Sequence, residues 1–266
     1  MIGALFVRGL VAGLFAGLLA GGFAFAFGEP LVDRAIAIED AAAHSAANRP
    51  DAAADRHAAE HRNAGASADA EDAPLVSRGG QKAGLFLALS LDGAAVGGLF
   101  ALVYAAVRPR TGRLSEPALA VALAGALFVA VVLVPFLKYP ANPPGVGDPD
   151  TIGMRTTSYL VMVAVGLLSL GIAAWTGRSV RPAASFWLRA GASSASFLTP
   201  VVVAYVALPA VDEVPTGFPA TLLWDFRLAS LGMQFVLWLA VGVLFAILCQ
   251  RTTRTAKTRA ACEESW

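Results

Sequence analysis

Apolar runs of roughly 20 residues, the length needed to cross a hydrocarbon core, recur six times along the chain. They are Ala4–Phe27, Ala83–Val107, Pro117–Leu137, Thr156–Trp175, Phe186–Leu208 and Leu228–Leu248, each closed by charges, prolines or glycines. Lipid offers no hydrogen-bond partner to an open strand edge, so these runs must satisfy their own backbones as helices. The pattern predicts an all-α, polytopic transmembrane helix bundle of six spans. Residues 1–27 form the first span and 28–82 a long connection. Residues 83–248 form a bundle of five helices, and 249–266 a basic tail.

One variant of this plan has five spans. Ala24-Phe25-Ala26 reads as a small-x-small cleavage site and Arg8 as a thin positive region, so the first run could be a signal peptide. Against that, the run exceeds the 7–15 residues typical of a signal core. It also carries Gly9, Gly13, Gly17 and Gly21 at every fourth position. Such a stripe lets a second helix approach closely, which suits a permanent span.

Orientation follows from the basic residues, which cytoplasmic connections retain. Arg108, Arg110 and Arg113 lie between spans two and three and Arg178 and Arg181 between four and five, while Arg251, Arg254, Lys257 and Arg259 follow span six. The other short connections hold only Lys138, Arg155 and Arg227. Both termini are therefore expected on the cytoplasmic side. The outside then receives 15 of the 19 carboxylates, ten of them between Gly28 and Lys82.

Composition agrees. Of 266 residues 57% are hydrophobic and only 15% charged, with a mean hydropathy of +0.64, too few charges to coat a soluble globule. A net charge of +1 and no basic run interleaved with aromatics exclude nucleic acid as a partner. Two cysteines, Cys249 and Cys262, cannot supply a disulfide framework or a thiolate metal site. Phosphate loops, dinucleotide-binding glycine motifs and supported catalytic triads are missing, so no enzyme is expected. No cofactor is implied by these motifs.

Candidate chemistry sits in three places. The long connection lacks Val, Leu, Ile, Phe, Tyr and Trp between Glu39 and Pro74, too few apolar groups for a core of its own, and reads as mostly mobile. Pro50-Asp51 signals a helix start and Gly65 a stop, so His57 and His61 share a face with Glu60 one turn from His57. Those three side chains, with His44 as a further ligand, could hold a divalent cation. A solvated alanine and charge linker with two histidines four apart by accident explains the same residues.

The second place is Asp92, near the middle of span two, where a carboxylate facing lipid costs roughly 2.5–3.5 kcal/mol. It is expected to face protein or water, either on a transport path or in a packing contact across helices. The third is Ser193, Ser194, Ser196 and Thr199 before Pro200 in span five. Proline bends the axis there, and the hydroxyls of Ser193, Ser196 and Thr199 either line the bend or bond the carbonyl a turn back.

Between spans three and four the chain reads Lys138-Tyr139-Pro140-Ala141-Asn142-Pro143-Pro144, continuing to Asp148, Asp150 and Arg155, a stiff lip of prolines and glycines. Asp150 is placed to cap span four. Between spans five and six Leu208-Pro209-Ala210, Pro215, Gly217 and Pro219 lead to Arg227 on a related plan. The similarity suggests that the two hairpins are parallel repeats.

These stretches, from the glycine-striped first span through Phe136–Pro144 to Trp224-Asp225-Phe226-Arg227, Gln234 and Trp238, resemble the CbtA family of proposed cobalt transporter subunits. The resemblance implies a bacterial cytoplasmic-membrane protein for cobalt uptake linked to cobalamin synthesis. It also implies a small one-span, histidine-containing partner of the CbtB type. The family is usually described with five spans, and the histidine segment here holds three histidines and no adjacent pair. A non-transporting metal-binding sensor or assembly partner is the alternative function.

Overall fold

The computed structural model describes residues 2–47, 78–111, 114–181, 184–211 and 213–263. Its helices are α1 (Ile2–Phe23), α2 (Glu29–Ala47), α3 (Arg78–Val107), α4 (Glu116–Leu127), α5 (Val134–Lys138), α6 (Ile152–Ser179), α7 (Phe186–Ala207) and α8 (Ala220–Glu263). No strand occurs among the described residues, and six helical stretches are long and apolar enough to cross a membrane. They begin at Ile2, Gly79, Glu116, Ile152, Phe186 and Ala220, within a few residues of five of the predicted starts. The sixth begins eight residues before the predicted Leu228.

Pro200 lies inside the continuous helix α7, while Pro30 and Pro135, in the first and third stretches, are accommodated in one and the same way. A proline lacks an amide hydrogen and its ring crowds the carbonyl four residues back. Pro30 would crowd Ala26 and Pro135 would crowd Val131. Each of those carbonyls lies in a wider π-helical turn, Ala24–Gly28 and Phe128–Leu133, where the strained bond is not made. The first stretch therefore runs on from α1 through α2 as one helix to Ala47, about 29 Å past Gly28 at the helical rise. The connection read from sequence as a loop begins with this extension, and its return begins at Arg78. Lys82 at that return pairs with Asp33 at 3.2 Å and Glu29 at 3.9 Å, holding α2 and α3 together.

The spans pack in a row: α3 on α1, α1 on α8, α8 on α4, then the π turn and α5 on α6, and α6 on α7. Lipid removes the hydrophobic drive between helices, so close fit decides which faces meet. Along α1 the buried residues are Gly9, Ala12, Gly13, Ala16, Gly17, Ala20 and Gly21, every one small. Gly9, Gly13 and Gly17 lie against the backbone of Gly97, Gly93 and Leu89 on α3. A β-carbon at any of the three would overlap a backbone carbonyl. The glycine stripe is a packing surface, and the first span belongs to the folded bundle. Larger side chains pack elsewhere, where Phe245 of α8 meets Phe100 and Tyr104 of α3 edge to face with centroids 5.3 and 5.0 Å away.

A second, smaller cluster of Val134, Met162, Val201 and Ala204 joins α5, α6 and α7. Helix α7 is the most peripheral span: Trp187 is 81% exposed and Val206 83%. Side chains of this kind face lipid.

Candidate functional site

A half-open cavity of about 560 Å³ lies at the end of the bundle that carries the two proline-rich connections. Its walls come from the end of α5 and the loop after it, the start of α6, and the first turns of α8. The size is that of a small-molecule site. Among its lining residues are Arg155 and Arg227 and no carboxylate.

The loops that shape it are built alike. Val146 N donates to Pro143 O at 3.2 Å, and Phe218 N to Pro215 O at 3.1 Å, closing one four-residue turn in each connection. The third residue of each turn is a glycine with positive φ, Gly145 at 73° and Gly217 at 92°. An L side chain is disfavoured at such a φ, which is why glycine stands there. An arginine follows each glycine by ten residues, Arg155 after Gly145 and Arg227 after Gly217.

The arginines then exchange partners. Arg155, on the helix that follows the first loop, donates Nη1 to Glu213 Oε2 of the second loop at 2.5 Å. Arg227, on the helix that follows the second loop, donates Nη2 to Asn142 Oδ1 of the first loop at 3.0 Å. Each hairpin is thereby fastened to the connection of the other. Gly147, φ 133°, sits directly over the Arg155 guanidinium, and a β-carbon there would collide with Nη1. Lys138 donates to the carbonyls of Tyr205 at 2.8 Å and Leu208 at 3.2 Å, satisfying the open end of α7. Tyr139 donates its hydroxyl to Pro209 O at 2.8 Å, and Tyr205 donates to Val134 O at 2.7 Å.

Glu213 is the most heavily bonded carboxylate of this end. Thr151 donates its hydroxyl to Oε1 at 2.5 Å and the Asp148 amide donates to Oε2 at 3.0 Å. These bonds, Thr151 first, and then Arg155, hold its pKa below the ordinary glutamate value against the opposing pull of burial. A carboxylate with a lowered folded-state pKa stabilises the fold above its unfolded pKa and loses that contribution as pH falls through the folded value. The loop fastening is therefore expected to be constant from about pH 7 to about pH 5 and to fail only below the ordinary glutamate value of about 4.3. Thermal unfolding of the parent and Glu213→Gln across this range checks it. The gap between their midpoints should stay level and then close in acid, and a gap that closes near neutrality would contradict the assignment.

The residues singled out from sequence fall elsewhere. His44 is exposed on α2, its Nδ1 2.7 Å from the carbonyl of Asp40, about 24 Å along the helix from Gly28. His57, Glu60 and His61 lie outside the described residues. Among the described residues no group of three His, Cys, Asp or Glu side chains is placed to hold a metal. Asp92 is exposed, on a face of α3 that also presents Gly84, Ala88 and Ala95. Within one chain it faces neither a packed neighbour nor the cavity.

Ser196 donates to Ser193 O at 2.9 Å and Thr199 to Ala195 O at 2.8 Å, the backbone bonding that competes with lining a path. The turn before α6 is made by Asp148, whose Oδ1 accepts from the Asp150 amide at 2.9 Å. Asp150, placed in the sequence reading as the cap, is the residue being bonded. The cavity residues Asn142, Arg155 and Arg227, and Glu213 which fastens Arg155, escaped that reading as site residues, because each acquires its role from a partner 58 to 85 positions away. The available signal was the shared plan of the two loops.

The family model described as "Probable cobalt transporter subunit (CbtA)" matches residues 2–250. No curated protein and no solved structure gives a significant match.

Proposed function

The chain belongs to the CbtA family, described as probable cobalt transporter subunits, and from that premise we propose that it carries a divalent cation, cobalt, inward across the bacterial cytoplasmic membrane. The family match over nearly the whole chain carries this reading. The uptake serves cobalamin synthesis, and both termini are cytoplasmic, as the basic residues of the short connections favour. The proline-loop end is then the outer end. Inward movement of a divalent ion gains roughly 4.6 kcal/mol per 100 mV of inside-negative potential, enough to drive entry without nucleotide hydrolysis. The acid-rich first connection gathers cations, and His44, His57, Glu60 and His61 capture them.

Asp92 supports a shared path. A carboxylate exposed at the middle of a span costs too much in lipid to stand uncovered, and the small residues beside it admit another helix at close range. A one-span, histidine-containing partner of the CbtB type would cover it and complete the route. Ser193 assists, and Ser196 and Thr199 join it only if their hydroxyls leave their own helix.

One observation favours the second reading, a metal-binding membrane sensor or assembly partner that does not transport. The cavity presents arginines and no carboxylate, a poor seat for a bare cation. Cobalt-57 uptake by cells expressing the chain alone, the one-span partner alone, and both together separates the two. Transport predicts uptake well above background only when both are present at normal membrane abundance. Background uptake in every arm, with the chains associated and abundant, would leave the sensor.

A further inference from the structure

The cavity between the proline loops is built for charge of the opposite sign to cobalt. Arg155 is matched by Glu213, whose carboxylate also takes Thr151 and the Asp148 amide. Arg227 is not matched. Its recorded partner is the neutral amide oxygen of Asn142, no carboxylate among the described residues lies within 4.0 Å of it, and its Nε is buried without a hydrogen-bond partner. Arg227 is half-buried, and a guanidinium drawn even partly out of water gains from a counter-charge; here the chain supplies a carboxylate for one arginine of two.

Two features define what would complete the site. The volume of about 560 Å³ exceeds the need of a bare inorganic ion, and the walls add apolar surface from Phe136, Val132 and Met233 to the hydroxyls of Ser230 and Thr156. The arginine fork suits a planar or tetrahedral oxyanion.

We propose that this cavity binds the carboxylate or phosphate end of an organic molecule, with Arg227 as its counter-charge. The inference stands on the cavity and not on the transport reading. The ligand is either a soluble organic acid entering from the loop end or the headgroup of an anionic phospholipid. Arg155 stays engaged with Glu213 and shapes the wall. Arg227, oriented by Asn142, meets the oxyanion.

The test uses the full chain in neutral detergent, with the thermal unfolding midpoint as readout, titrated with citrate, glycerol 3-phosphate and Co²⁺. In parallel the protein is placed in phosphatidylcholine nanodiscs with and without phosphatidylglycerol. An anion should raise the midpoint saturably. Arg227→Gln should weaken that response at least about tenfold, as loss of a charge-assisted fork implies. Ser230→Phe, which keeps both arginines and intrudes on the cavity beside Arg227, should weaken it as well. Midpoints without ligand show that each variant is folded, and if one fails to fold the other decides.

A response to citrate without one to phosphatidylglycerol identifies a soluble source; a response to phosphatidylglycerol, with or without glycerol 3-phosphate and without citrate, identifies the headgroup. No anion response in any arm, or a response equal in the parent and the variants, overturns the proposal. A midpoint raised by Co²⁺ alone, and raised further in Arg227→Gln, also overturns it by showing a cation seat. Because none of these readouts involves uptake, failure here leaves the transport reading standing, and failure of transport leaves this site standing.

Discussion

Gly13→Val should strip most of the folded protein from the membrane. A β-carbon on Gly13 would overlap the carbonyl oxygen of Gly93 and lie 2.8 Å from its carbon and 2.9 Å from the Gly97 Cα. All are backbone atoms, so no rotamer relieves the clash. The helices must separate, and separation forfeits the dispersion contacts and Cα–H···O approaches along α1 and α3 that hold them in lipid. Overpacking of a fitted core costs about 1–3 kcal/mol and occasionally more, and a rigid obstacle places this one at the upper end.

The control is in the same helix. Gly3 and Gly22 have nothing within 4 Å of a built β-carbon, so Gly3→Val and Gly22→Val should leave abundance and unfolding midpoint near the parent's. Membrane abundance by immunoblot and thermal unfolding in detergent make the comparison. If Gly13→Val matches Gly22→Val in both, α1 and α3 do not meet as described.

Asp92→Asn should abolish cobalt uptake while leaving the protein folded and abundant, provided Asp92 serves the path shared with a partner. The exchange keeps volume and hydrogen-bonding capacity but removes the ionised oxygen. Asp92 is exposed within the chain, so its own bundle loses no packing, and insertion becomes cheaper by part of the roughly 2.5–3.5 kcal/mol charged for a mid-span carboxylate. Asp92→Leu should likewise be abundant and inactive. Cobalt-57 uptake normalised to membrane abundance, with the partner co-expressed, is the measurement. Uptake at the parent rate in Asp92→Asn would make the carboxylate a docking contact and move the ion path elsewhere.

How much of this was legible beforehand divides along a physical line. Span number and helical class follow from composition over windows of about 20 residues, a local property, so the six apolar runs and six helices correspond. The glycine stripe of α1 also announced its role locally, since small residues every fourth position can only serve close approach. Illegible was the continuation through Glu29 and Pro30. A proline after a charge reads as a stop, and only the preceding π turn converts it into a helical residue. Asp92 shows a second limit. A mid-span acid signals that something must cover it, but not whether the cover comes from the same chain. The arginine cavity shows a third, because its ties join residues from different hairpins, and hydropathy carries no record of pairings across the fold.

The crossed ties from Arg155 to Glu213 and from Arg227 to Asn142 behave mechanically as a double latch. A hairpin pinned only to itself can swing while its neighbour stays still. Here each hairpin holds the other's strap, so outward rocking of either one strains both latches together. The gap between them opens only when both latches and the lesser bonds of Lys138, Tyr139, Thr151 and Tyr205 along the same seam give way, so it opens as a whole or not at all. An occupant that engages Arg227 while Asn142 still orients it adds a tie to the seam and so acts as a bolt.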